Sequence, residues 1–189
     1  MEKFEGRKQM ELEKPPFLYH GSPNRNIQGF EPRTSSGTGE KLGTQVYASQ
    51  DMAVASIFLL NPERTWSAGK FNDVLFAVIP INRDEFIKND KGGCIYVLPS
   101  DHFESDPKHG MGEYEWHSPQ KVKPIKKMQF SSALDAAIQN GVQVYLVDKE
   151  TFQRIEKSKD HGLLILQKLE SENQRRGINI KSLHATTNS

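Results

Sequence analysis

Three short stretches of this chain carry side chains whose types and spacing suit chemistry. The first is Tyr19-His20-Gly21-Ser22, where an apolar run ends in a His-Gly pair. Glycine lets another molecule approach the backbone closely, so its N–H and C=O can meet a flat ligand edge to edge. A histidine at a strand end can donate to a ligand hydroxyl. Taken alone, most such histidines only cap or fill, and that plainer reading stays open.

The second stretch is Gly43-Thr44-Gln45-Val46-Tyr47-Ala48-Ser49-Gln50-Asp51, which leads into a helix carrying Phe58. A tyrosine on a strand entering a helix can present its ring face to a flat or cationic ligand, worth roughly 0.5–2 kcal/mol. The alternative is that Tyr47 is core. The third is Glu113-Tyr114-Glu115-Trp116-His117-Ser118. Strand period puts Glu113 and Glu115 on one face and the two aromatics on the other. Two like charges side by side are costly unless they face water or a site. A carboxylate in a cleft can hold a sugar hydroxyl and stabilise positive charge at the neighbouring anomeric carbon. A charged solvent edge over an aromatic core face explains the pattern equally well.

Other residues carry less. His102, His109 and His117, with Asp101, Glu104 and Asp106, fit no metal-ligand spacing, so no metal is expected. Cys94 is the sole cysteine and sits in an apolar run, so it reads as a small buried hydrophobe. Lys121, Lys123, Lys126 and Lys127 read as a solvated face that could meet a phosphate or nucleic acid. Gly37-Thr38-Gly39 lacks the ending of a phosphate-binding loop.

These residues need elements to hold them. Pro15-Pro16 closes a charged leader over 1–16. Phe17–His20 is a short strand, and 25–43 reads as a long loop. Gln45–Ala48 is a strand, and Ser49 caps a helix from Gln50 to about Leu60. A polar loop over 61–72 precedes the apolar strand Val74–Ile79. Phe86–Lys88 and Cys94–Leu98 flank Asn89-Asp90-Lys91-Gly92-Gly93 as a hairpin. Tyr114, Trp116 and Val122 lie on a strand region. Ser132 and Asp135 resemble a capping box, with Gly141 at the far end of that helix. Val142–Val147 is a strand, Asp148 caps another helix, and Leu163–Arg176 is amphipathic. Residues 181–189 read as a disordered tail. Six or seven strands and three or four helices make an α+β plan around one domain, 17–180.

Together the stretches resemble a known family. YHGS, then VYAS-QD running into AVASIF, then EYEW, is similar to the ADP-ribosyltransferase fold in its His–Tyr–Glu form, as in poly(ADP-ribose) polymerases and diphtheria-type toxins. The likeness includes an aromatic eleven residues after the tyrosine, here Phe58. YVLPSDHFE and EWHSPQKVKP are also similar to a group of small prokaryotic proteins that begin with YHGSP and have no settled substrate.

The resemblance implies two small packed antiparallel or mixed sheets with flanking helices, and NAD as substrate without a metal. It implies that His20 meets a ribose hydroxyl and that the Gly21 backbone holds the carboxamide, with Ser22 and Ala48 beside them. Tyr47 and Phe58 would stack on the nicotinamide, and Glu115 would bind the ribose 2′-hydroxyl, with Glu113 on the acceptor side. In the polymerases a serine stands three residues before the second aromatic, which is itself a tyrosine; here these are Ala55 and Phe58. Glu113-Tyr114 fits the polymerase pattern, and Glu115-Trp116 fits the small prokaryotic group and the Glu-x-Glu of arginine-modifying transferases.

Composition narrows the classes. The chain has 189 residues and a formal charge of +1, which gives no support to a nucleic-acid partner, although one stays possible. One cysteine excludes a disulfide framework. No run suits a membrane span or a secretory signal, so a cytoplasmic protein is expected. Alternatives to transfer onto a macromolecular or small-molecule acceptor are an NAD glycohydrolase and a weak binding module for a nucleotide, nucleic acid or protein.

Overall fold

The computed structural model describes residues 14–34, 43–60, 66–105, 114–160 and 162–175. Most of the leader and all of the tail lie outside these. The strands are β1 Phe17–Ser22, β2 Arg33–Thr34, β3 Thr44–Ala48, β4 Ser67–Phe71, β5 Val74–Ile79, β6 Gly93–Pro99, β7 Glu104–Ser105, β8 Trp116–Ser118, β9 Lys126–Phe130 and β10 Gln143–Leu146. The helices are α1 Met52–Leu60, α2 Arg83–Asn89, α3 Ala133–Gln139, α4 Lys149–Glu156 and α5 Leu163–Arg175. The fold is mixed α+β, with small antiparallel and mixed sheets, as the sequence implied at that level.

The described residues form three sheets, not the two that the resemblance implied, with α1 and α3 packed between two of them. They run β1-β6-β9, β10-β5-β4 and β2-β3-β8-β7. Alternation along each strand divides the apolar side chains between cores. Leu18, Cys94, Tyr96 and Leu98 leave one face of β1-β6-β9 to meet Val46, Ala48, Phe103 and Trp116. Tyr19, Ile95, Met128 and Phe130 leave the other face, toward α1 and α3. Those helices also pack on Ala77, Ile79 and Val144 of β10-β5-β4, whose far face holds Phe76 and Val78 against Phe152, Ile155 and Leu166. Cys94 is buried, as its apolar setting predicts. No described helix is long and apolar enough to cross a membrane.

Several elements differ from the sequence expectations. Residues 86–88 are helical, not a hairpin arm. Asn82 accepts the Glu85 N–H, and Asp84 and Glu85 fill the first turn of α2, so the cap outweighs the Phe86-Ile87 pair. Part of the polar loop over 61–72 is strand β4. The turn that joins it to β5 uses Asn72 and Asp73, both at positive φ, which is the pattern of a tight hairpin. Lys126 and Lys127 begin strand β9, which pairs with β6. Helix α1 starts at Met52, because Asp51 rather than Ser49 takes the N–H of Ala53. Ten strands and five helices among the described residues exceed the number expected. The caps Ser132 and Asp148, and Gly141 at positive φ, stand where predicted.

Asp90 ties the sheet to α3. One oxygen accepts from the N–H of Gly92 and Ala133, the other from Ser132 Oγ and the Leu134 N–H. Asp90→Ala strands these donors and should cost about 2 kcal/mol, read as a lower urea midpoint at unchanged slope. Asp148 is held below the usual carboxylate range, mainly by the Thr151 N–H. A lowered folded pKa stabilises above the unfolded value and is lost as pH falls through the folded one. The stability gap between wild type and Asp148→Asn should therefore narrow as pH falls below about 4, in urea titrations across that range.

Candidate active site

The cleft opens where β1 and β3 part. Tyr19 and Ser49 exchange two backbone hydrogen bonds of 2.7 and 2.8 Å, joining the two sheets at one bridge. A regular ladder would next pair Gly21 with Tyr47. Instead the His20 imidazole enters the gap, its Nδ1 lying 2.6 Å from the Tyr47 carbonyl oxygen. A carbonyl only accepts, so Nδ1 carries the hydrogen in this bond. Phe30 backs the imidazole at 4.5 Å between ring centroids. Two backbone bonds to Val122 hold Phe30 in place. The Tyr96 hydroxyl takes the Ile27 N–H and donates to Asn24, bracing the preceding loop; burial pushes that phenol up.

Backbone polarity alternates along a strand, so Gly21 points its N–H and C=O to the same edge as Tyr19. Past the bridge that edge has no strand partner among the described residues. Helix α1 lies directly over Gly21: a Cβ there would overlap the Ala55 carbonyl. Glycine is therefore required by packing, and the packing leaves a donor and an acceptor at the edge of the cleft.

Tyr19, His20, Gly21, Tyr47, Ala48, Ser49, Val54, Ala55, Phe58, Tyr114 and Glu115 line one cleft of about 370 Å³, open solvent at its mouth included. The strand-to-helix turn sets Tyr47 and Phe58 on its walls. Phe58 is 38% exposed although α1 is otherwise mostly buried, and its ring meets Trp66 edge-on at 5.4 Å. Tyr47 belongs to the face of β3 that turns away from Val46 and Ala48, which are core. Its hydroxyl is buried and meets no partner among the described residues. Ala48 faces Trp116 in register, and Glu115 directly precedes that pair on the wall of the cleft.

Thus His20, Gly21, Tyr47, Ala48, Phe58 and Glu115, predicted from sequence, meet in one cleft. Ser22 does not: its hydroxyl accepts the Asn24 N–H at the strand's far end, away from the lining. Glu113 lies outside the described residues. The expected shared face of Tyr114 and Trp116 is corrected. Tyr114 lies in a 3₁₀ turn beside the cleft, whereas Trp116 is buried in the core, because the strand begins only at Trp116. Sequence reading missed Tyr114 and Ser49 as lining; one was assigned to an aromatic core face, the other to a cap. Among the described residues no three acidic, histidine or cysteine side chains converge as metal ligands. His109 and Asp106 are not among those residues. His117 pairs with Tyr47 and Glu104 in register but does not line the cleft.

Compared with known protein families, curated proteins and solved structures, the chain matches none. Gly21→Ala should destabilise the protein by about 2–3 kcal/mol, since α1 must move off β1 to admit the methyl group. Thermal and urea unfolding measure it; an unchanged midpoint would mean that α1 does not press on this strand.

Proposed function

We propose that the protein breaks the nicotinamide–ribose bond of NAD and transfers ADP-ribose to an acceptor. The observation that carries this reading is the open edge of Gly21 in the same cleft as Tyr47, Phe58 and Glu115. A primary carboxamide has a donor and an acceptor side by side. The Gly21 C=O and N–H complement that pair, while aromatic walls suit a flat cationic ring. His20 hydrogen-bonds a ribose hydroxyl. Glu115 holds the 2′-hydroxyl and places its negative charge by the anomeric carbon.

In the reaction the C–N bond breaks and its electron pair stays with the pyridine nitrogen, so nicotinamide leaves neutral. Positive charge grows on the ribose, where the Glu115 carboxylate stabilises it. The acceptor then bonds to the anomeric carbon and releases its proton. No acid is needed for departure, because the leaving group is already a pyridinium. If water is the acceptor, the protein is a glycohydrolase.

One feature favours a second reading. Ala55 stands on the cleft wall where the resembling polymerases have a serine, so the wall has one hydroxyl fewer for the carboxamide. A protein that binds NAD and turns it over very slowly would fit that loss. Purified protein with NAD should release nicotinamide, measured by chromatography with and without cell extract as acceptor. Glu115→Gln should lower release about 100-fold or more while NAD still binds by calorimetry. Equal release from both proteins removes Glu115 from the mechanism, and binding without any release selects the second reading.

A further inference from the structure

The hairpin of β4 and β5 reaches from the central core to the cleft wall. Ala68, Leu75, Ala77 and Ile79 share the hairpin's inner face and pack on α1 and α3. Lys70 pairs with Leu75 in register, at the outer end of that same face. Beyond the core its ammonium donates to the Tyr114 hydroxyl at 2.9 Å and lies 5.5 Å from the centroid of that ring. Asp73, in the tight turn, sits 3.3 Å from the same nitrogen. The hydrogen bond with Tyr114, and then that with Asp73, raise the lysine's pKa, so it stays a cation.

Tyr114 and Glu115 are adjacent and both line the cleft. On the other side of Glu115, Trp116 is 3% exposed and fixed in the core. Glu115 is therefore strung between two anchors, an indole in the core and a phenol held by the hairpin. Tyr114 and Glu115 lie just outside the β8 ladder, which starts at Trp116, so the hold on Tyr114 steadies the backbone on that side. We propose that Lys70 is a positioning residue: through Tyr114 it fixes the segment that presents Glu115 to the cleft. The catalytic part of this claim rests on the reading of Glu115 as the transition-state carboxylate. Lys70 itself need touch no substrate.

Amide hydrogen exchange over 114–118 and steady-state nicotinamide release test it together, on wild type, Lys70→Met, Lys70→Arg and Tyr114→Phe. In Lys70→Met and Tyr114→Phe, exchange in this segment should quicken about tenfold. In both, kcat should fall about tenfold with the KM for NAD within about twofold. The double variant should be no worse than the poorer single one, because both remove the same bond. Lys70→Arg should restore most of both signals. Unchanged exchange overturns the proposal, and so does a loss confined to KM, which would make Lys70 a direct substrate contact. If wild type releases no nicotinamide, the transferase reading falls. The exchange rates still decide whether Lys70 holds the wall.

Discussion

Everything at the cleft follows from how closely α1 lies on β1. The carbonyl of Ala55 occupies the space where any other residue at position 21 would put its Cβ. That contact brings a helix that is buried on most sides to the edge of one sheet while its other side meets a second sheet. It also brings Phe58, three residues beyond Ala55, to the cleft. A single missing side chain thereby sets the distance between the backbone edge of Gly21 and the aromatic wall.

The parting of β1 and β3 is the second consequence. Beyond the Tyr19–Ser49 bridge β3 diverges from β1, so among the described residues Gly21 forms no ladder pair with Tyr47. An unsatisfied strand edge ordinarily costs stability or invites aggregation. Here His20 closes part of the opening by donating to the Tyr47 carbonyl, and the remainder faces the cleft. The same bond puts a hydrogen on Nδ1 and ties the imidazole to the backbone of Tyr47. Phe30, packed on the imidazole and itself 5.3 Å from the Tyr96 ring, backs the histidine from behind.

Residues whose surroundings are local were legible in the sequence. His20-Gly21 before a Ser-Pro turn, Tyr47 before a capped helix and Phe58 eleven residues later depend on short-range punctuation. Ser132, Asp148 and Gly141 were legible for the same reason. What failed depended on partners far along the chain. Ser67-Ala68-Gly69-Lys70-Phe71 has no β-branched residue and becomes a strand only because β5 lies beside it. Phe86-Ile87 suggested a strand face, yet only Phe86 is buried and Ile87 is 51% exposed, as one apolar anchor on a capped helix requires. A period of two was carried back from Trp116 to Glu113. It breaks at Tyr114, where the chain has not yet entered the ladder. Glu115 reaches the cleft from outside the ladder, not from the strand face that a period of two implies.

That last difference matters for how the carboxylate is supported. On a regular strand, Glu115 would be fixed by ladder bonds on both sides. One residue outside β8, its backbone takes its course from Trp116 on one side and Tyr114 on the other. The β4–β5 hairpin belongs to a different sheet from β8. A grip from there couples the central core, through Ala68 and Leu75, to the wall of the cleft. Packing of α1 then acts on the site twice: directly, by opening the edge of Gly21, and indirectly, by seating the hairpin whose lysine reaches Tyr114. An acid at the very end of a short strand can in this way be as firmly placed as one in the middle of a sheet.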